Sequence, residues 1–320
     1  MTFKILNLEP EDYSQSAKDM LVDIASVDDR PLSREDLKKA IGDYDGLIVR
    51  LRHKIDQDIL AYASNLKVIV SATTGLNHID CEAAGKRGVE VLSLRGETDF
   101  LKTITATAEH TMGLILGLVR HIGASHNSVT QNHWDRNQFK GRDLAGKTLG
   151  IIGYGRLGQL VACYAHAFGM KVLACDIRNF ESEEHIRFVD MDEVLEKSDI
   201  ITLHVFYADE THHLIDASCF KKMKAGSLFI NTSRGEIVDE KALLKALQNK
   251  SLAGAALDVL SDENSGTSDW MTDNPLIEYA RAHNNLIITP HIGGATYDSM
   301  EKTEIFMAEK LKNFIEAIRV

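Results

Sequence analysis

The sequence predicts an α/β protein organised around a doubly wound parallel sheet, and three observations carry that prediction. Short apolar strand patterns alternate with helix patterns along most of the chain, as parallel βαβ units require. The stretch from Thr148 to Asp176 reads strand, glycine turn, helix, strand, acid. Its turn, Gly153-Tyr154-Gly155-Arg156-Leu157-Gly158, has the spacing that brings backbone N–H groups and the positive end of a helix dipole to a diphosphate. Finally, 320 residues suffice for two domains, each with its own core.

Taken in order, Phe3 to Leu8, Gly46 to Leu51, Val68 to Ala72 and Val89 to Leu92 read as strands. Ser33, with Asp36 three residues on, resembles a capping box opening a helix through Ala40. Asp80 to Lys86 reads as a second helix, ended by Gly88. These elements predict a small α/β domain of their own. Thr103 to His126 follows as one long apolar helix, and Gln131 to Gly146 is polar but carries Trp134 and Phe139.

The dinucleotide unit comes next. Gly153 serves the tight turn, Gly155 the close approach of a pyrophosphate, and Gly158 the packing of helix Leu160 to Phe168 on the strand. Asp176 ends the second strand, 23 residues after Gly153. A carboxylate there accepts from a ribose diol and repels a 2′-phosphate, so NAD is the expected cofactor. Beyond it, Met191 to Lys197 reads as helix, Asp199 to His204 and Leu228 to Asn231 as strands, and Asp239 to Asn249 as helix. Ala253 to Val259 and Leu286 to Thr289 read as the last strands, and Thr296 to Val320 as a helix.

Composition narrows the function. A formal charge of −11 argues against nucleic acid or an anionic membrane as a partner. Cys81, Cys163, Cys175 and Cys219 lack metal-ligand spacing, and three of them lie in apolar patterns, so they read as small core residues in a reducing compartment. No apolar run is long enough to span a membrane and the N-terminus has no cationic leader, so a cytoplasmic protein is expected and no metal is.

Ligands of open parallel sheets bind beyond the carboxyl ends of the strands. Three such ends carry reactive groups: Asn231 to Gly235 with Arg234, Asp258 to Glu263, and Thr289 to Gly294 with His291. Moving a hydride to or from a carbon bearing oxygen requires a proton on that oxygen, which a histidine can give or take. A neighbouring carboxylate, Glu263, favours the imidazolium and fixes the tautomer. A guanidinium, Arg234, can grip a carboxylate and polarise the adjacent carbonyl.

The runs GIIGYGRLGQ, LFINTSRGEIVDEKALLKAL, GAALDV and IITPHIGGAT resemble those of the D-isomer-specific 2-hydroxyacid dehydrogenases, and the resemblance covers nearly the whole chain. It implies two α/β domains, a Rossmann-type doubly wound parallel sheet inserted into a smaller flavodoxin-like α/β substrate domain. The expected divisions are 1–102 as substrate or lid domain, 103–294 as NAD-binding domain, and 295–320 as a helix returning to the first. Arg234, Glu263 and His291 match the family's catalytic set. NAD contacts are implied at Arg156, Leu157, Asp176, His204, Val205, Thr232, Ser233, Asp258 and Gly293, and a substrate-carboxylate loop at Thr74-Gly75. The implied partners are a small anionic 2-hydroxy or 2-keto acid and a second copy of the chain, joined through the 103–140 region.

Arg50 resembles the arginine that phosphoglycerate dehydrogenases place near a substrate phosphate, whereas Ser71 stands where they carry another arginine. Further departures are Arg95 to Lys102, Phe206, and the stretch from Asn264 to His283. The competing expectation, from a different class, is a dinucleotide-sensing, corepressor-like binding protein of the same fold.

Overall fold

Among the described residues of the computed structural model (2–182, 184–261, 263 and 270–319), the strands form two wholly parallel sheets. The chain divides into two compact units, Met1–Ile104 with Ala295–Val320, and Thr105–Gly294.

In the first unit, β1 (Phe3–Asn7), β2 (Ala25–Asp29), β3 (Gly46–Ile48), β4 (Val68–Ser71) and β5 (Glu90–Ser93) lie in the order β2-β1-β3-β4-β5. This is the flavodoxin-like order. β3 and β4 are buried along their whole length, which is why they read as continuous apolar runs. Ser33 Oγ accepts from Asp36 N at 3.2 Å, but the Asp36 carboxylate takes the Ser33 hydroxyl rather than its N–H, so the expected box is only half made. Helix Tyr297–Ala317, capped by Thr296, packs Met307, Leu311 and Ile315 into the same core as Ile5, Val68 and Val70. The departing segment docks on that helix: Phe100 stacks on Phe306 at 4.0 Å, and Lys310 Nζ donates to Glu97 at 2.6 Å.

In the second unit, β6 (Thr148–Ile152), β7 (Lys171–Cys175), β8 (Ile186–Phe188), β9 (Ile200–Leu203), β10 (Ser227–Asn231), β11 (Leu252–Leu257) and β12 (Leu286–Ile288) run in the order β12-β11-β10-β9-β6-β7-β8. Side chains alternate across the sheet. Leu149 and Ile151 join Met112, Ile115 and Val161 from helices Ala106–Val119 and Arg156–Ala167. Ile152, Leu203 and Phe229 join Leu195, Phe220 and Leu243 on the other face. Each such side chain contributes about 1.5–3 kcal/mol on burial, so both faces must stay covered. The strand order reverses between β6 and β9, which opens a crevice at their carboxyl ends.

Three expectations are corrected. The helix expected over Thr103 to His126 is two, Ala106–Val119 and Ile122–Thr130, broken where His121 takes φ 55°. The Val119 carbonyl accepts from Arg142 N at 3.0 Å, so the crossing chain ends the first helix. Two of the cysteines are not core: Cys81 and Cys163 are exposed, whereas Cys175 and Cys219 are half-buried and pack against the core of the second unit. Cys163 lies on the outer side of its helix, whose buried positions are Gly158, Val161, Ala162 and Ala165. β2 and β8 had no strand signal. Both are sheet edges: β2 ends in two aspartates, and β8 is only three residues, Ile-Arg-Phe, too short a run to declare a strand. Of the departure at 264–283, residues 264–269 lie outside the described residues; the rest includes helix Pro275–Ala282, capped by Asn274.

Candidate active site

The crevice between β6 and β9 is lined by the glycine turn. Gly153 has φ +94°, and a Cβ there would lie 2.6 Å from the His204 carbonyl oxygen. A Cβ on Gly158 would lie 2.3 Å from the Gly153 carbonyl oxygen, so the helix can sit on the turn only without a side chain. Around Gly155 the space is open: its Cβ would meet nothing nearer than Arg178 Nη2 at 3.9 Å. Helix Arg156–Ala167 starts there with Arg156, Leu157 and Gly158 in its first turn. Tyr154, behind the turn, is clamped edge-on by Phe180 and Phe188 at 5.2 and 4.9 Å.

Asp176 follows β7 and accepts from Tyr154 N at 2.7 Å and from Arg178 N and Nε at 2.9 and 3.0 Å. Burial pushes its carboxyl up, but these donors outweigh burial and hold it below the usual carboxylate range. It is therefore ionised at neutral pH. His204 follows β9; its Nε2 bonds Thr202 Oγ1 at 3.1 Å, while its buried Nδ1 has no partner among the described residues. Burial holds this imidazole down to about 3, so it offers a neutral polar atom rather than a charge. Val205 lies against Gly153. An open helix N-terminus, a glycine cradle, an ionised strand-end acid and an unpartnered ring nitrogen together fit a dinucleotide.

The reactive groups stand at the ends of β10, β11 and β12. Thr232 Oγ1 bonds Thr111 Oγ1 at 2.9 Å, and Ser233 Oγ donates to the Leu203 carbonyl at 2.9 Å. Together with Asn231, which accepts from Ser233 N at 2.9 Å, they fix the loop that carries Arg234. Burial pulls the Arg234 guanidinium below its ordinary value, opposed by the negative charge of Glu263 and Glu236. Glu236 is itself pushed up by burial and by Glu263.

His291 Nδ1 meets Glu263 Oε1 at 2.7 Å. Because a carboxylate only accepts, Nδ1 carries the proton and Nε2 is left for other chemistry. His291 has φ 53°, a left-handed conformation that costs about 1–2 kcal/mol. Asp258 offsets that cost. Its carboxylate, 1% exposed, accepts from Thr289 Oγ1 at 2.6 Å, Ile292 N at 2.9 Å and Gly293 N at 2.7 Å. Hydrogen bonds to a charged group contribute about 1.5–3 kcal/mol each, so the grip exceeds the strain. Burial pushes Asp258 up, and its donors, His110 first, bring it below the usual range.

The first-unit residues are placed as follows. Thr74 is exposed and Gly75 buried, in the loop after β4, where the Gly75 carbonyl accepts from Thr73 Oγ1 at 2.8 Å. Ser71 is buried and bonds His78 Nε2 at 3.1 Å. Arg50, just after β3, forms an ion pair with Glu304, which is 2% exposed, and lies over the Tyr13 ring at 5.8 Å. Burial pushes Glu304 up, partly offset by Ser14 N and Arg50.

Sequence reasoning missed His110, Thr111 and Glu304. A signal for the first two exists: Thr107, His110 and Thr111 form one polar stripe, at helical spacing, in a helix whose other residues, Glu109 apart, are apolar.

Residues 112–293 match the family model described as D-isomer specific 2-hydroxyacid dehydrogenase, NAD binding domain. Hydroxypyruvate reductase from Thermotoga maritima is 36% identical over 283 residues, covering 88% of each chain. D-3-phosphoglycerate dehydrogenase from Archaeoglobus fulgidus is 37% identical over 294 residues, 90% of this chain and 53% of that one, so this chain spans about half its length. The crystal structure of D-lactate dehydrogenase from Aquifex aeolicus, complexed with NAD and lactic acid, superposes with a TM-score of 0.85 at 30% identity, covering 98% and 96% of the two chains.

Proposed function

Because the chain belongs to the D-isomer specific 2-hydroxyacid dehydrogenase family, whose NAD-binding domain it carries, we propose that Arg234, Glu263 and His291 interconvert a small D-2-hydroxy acid and its 2-keto acid. The observation that carries this reading is the 2.7 Å contact of His291 Nδ1 with Glu263 on the strand ends that also bear Arg234. Bound NADH supplies the hydride that the carbonyl carbon receives. Arg234 holds the substrate carboxylate and polarises the carbonyl oxygen as charge gathers there. His291, as imidazolium, donates its Nε2 proton to that oxygen and keeps its Nδ1–H hydrogen-bonded to Glu263. In oxidation the same nitrogen takes the proton back. Thr74 and Gly75 are the proposed carboxylate loop. Arg156, Leu157, Asp176, His204, Val205, Thr232, Ser233, Asp258 and Gly293 are proposed to line the NAD site.

The intact pair of imidazole and carboxylate favours an enzyme over a corepressor-like sensor, which has no use for a proton donor. Glu263→Gln is expected to lower kcat about 100-fold, because the neutral amide no longer balances the imidazolium. Unaltered NADH fluorescence would accompany that loss, and a full kcat would disconnect Glu263 from the chemistry.

The Arg50–Glu304 pair supports an unphosphorylated substrate. A guanidinium already neutralised by a buried carboxylate offers little to a phosphate dianion, and Ser71 adds no charge. With NADH, kcat/KM for hydroxypyruvate or glyoxylate is expected to exceed that for phosphohydroxypyruvate by at least about tenfold. A preference for the phosphorylated acid in that panel overturns this part of the reading. NADPH, run alongside, tests Asp176, beside which Arg178 already sits.

We also propose a cytoplasmic homodimer joined through the 103–140 region. Among the described residues no helix is long and apolar enough to cross a membrane. Helix Ile122–Thr130 buries none of its residues, and Ile122, Val129 and Trp134 are 55%, 47% and 88% exposed. Such an apolar strip calls for a cover. Sedimentation equilibrium is expected to give a dimer, and a monomer for the Ile122→Ser/Trp134→Ser variant; a native monomer ends the proposal.

A further inference from the structure

We propose that His110 is a positioning residue for the reaction, holding through Asp258 and Thr289 the loop that presents His291. The inference rests on the proposed role of His291 as proton donor.

His110 belongs to helix Ala106–Val119, a different element from the strand ends that carry Arg234, Glu263 and His291. Its Nε2 lies 3.2 Å from Asp258 Oδ1 and 3.1 Å from Thr289 Oγ1. The direction of these bonds follows from chemistry. The Thr289 hydroxyl has given its one hydrogen to Asp258, and a carboxylate only accepts, so both remaining partners are acceptors. His110 must therefore carry its proton on Nε2 and donate it to the pair.

What that donation secures is the loop. Asp258 holds Thr289 on one side of His291 and Ile292 and Gly293 on the other, while its own carbonyl accepts from His291 N at 2.8 Å. The left-handed turn at His291 is thus fixed chiefly from Asp258, with the Thr289 carbonyl also accepting from His291 N at 3.0 Å, and His110 reaches the Asp258 carboxylate from a separate helix. The helix also closes over Gly293: a Cβ there would lie 3.3 Å from Thr107 Cγ2 and 3.7 Å from His110 Cδ2. Without His110, the Asp258 and Thr289 side chains lose their shared donor and can turn. The ring of His291 then loses its fixed aim, although Glu263 still holds its other nitrogen.

The test compares His110→Ala, His110→Gln and Thr289→Val in steady-state reduction of a 2-keto acid by NADH, per active site titrated with NADH. His110→Ala is expected to lower kcat about tenfold, while NADH Kd and the KM for the acid stay within about twofold, a split that general destabilisation does not produce. His110→Gln, whose amide can donate as Nε2 does, is expected to recover kcat to within about threefold of the unaltered protein. Combining His110→Ala with Thr289→Val is expected to cost no more than the larger single loss, since both cut the same link. Thr289→Val gives the same kcat-selective loss by itself, which keeps the test independent of the folding of the alanine variant. Wild-type kcat in His110→Ala, a glutamine variant no better than alanine, a loss that falls on NADH affinity, or additive losses each overturn the proposal. Absence of turnover by the unaltered protein on any 2-keto acid removes the reaction, and the proposal with it; turnover indifferent to His110 removes the proposal alone.

Discussion

Replacing His291 by alanine is expected to lower kcat by about a thousandfold, within the range that a positioned general acid contributes. NADH binding, read by fluorescence, is expected to survive, because Asp258 grips the loop through Thr289 and the backbone N–H groups of Ile292 and Gly293, not through the His291 ring. Alanine also has to adopt φ near 53°, so a modest fall in thermal midpoint accompanies the change. Steady-state rates with NADH and the best 2-keto acid, beside a thermal melt, separate the two effects. Full turnover in a folded variant would move the proton to another group and remove the proposed chemistry.

Gly158→Ala is expected to raise NADH Kd by about 100-fold or more, and to destabilise the second unit by about 1–3 kcal/mol as an overpacked contact. The physical reason is the 2.3 Å approach to the Gly153 carbonyl oxygen, a backbone atom that cannot swing aside. Either the helix lifts off the turn or the turn opens, and in both cases the N–H groups lose their common focus. Gly155→Ala is the informative control: with no atom nearer than 3.9 Å, it leaves the fold intact and can obstruct only what approaches from outside. Calorimetry on both variants checks the difference. Normal NADH affinity in Gly158→Ala would mean that the turn is not a diphosphate cradle.

What was legible in the sequence was local or periodic. The glycine turn, the acid after β7 and the reactive residues after β10, β11 and β12 are each declared by a short run, and strand alternation assembles those ends along one rim. What was not legible depended on partners far away in the chain. β2, with its paired aspartates, and the three-residue β8 are edge strands that exist because a neighbour offers hydrogen bonds. Arg50 shows no sign, in GLIVRLRH, of the carboxylate 254 residues later that neutralises it. His110 looks like an incidental polar residue in an apolar helix until Asp258 and Thr289 are brought against it. The break at His121 was hidden for the same reason, since the chain that takes the Val119 carbonyl arrives from residue 142.

Helix Tyr297–Ala317 seals one face of the sheet built from the first hundred residues. During translation that sheet therefore waits with an uncovered apolar surface while the intervening 190 residues emerge, a delay of roughly ten to forty seconds at ordinary synthesis rates of about 5–20 residues per second. The second unit has no such dependence and can close first. The nascent chain is thus most vulnerable to aggregation in its first unit, and loss of helix Tyr297–Ala317 would leave that unit exposed for good.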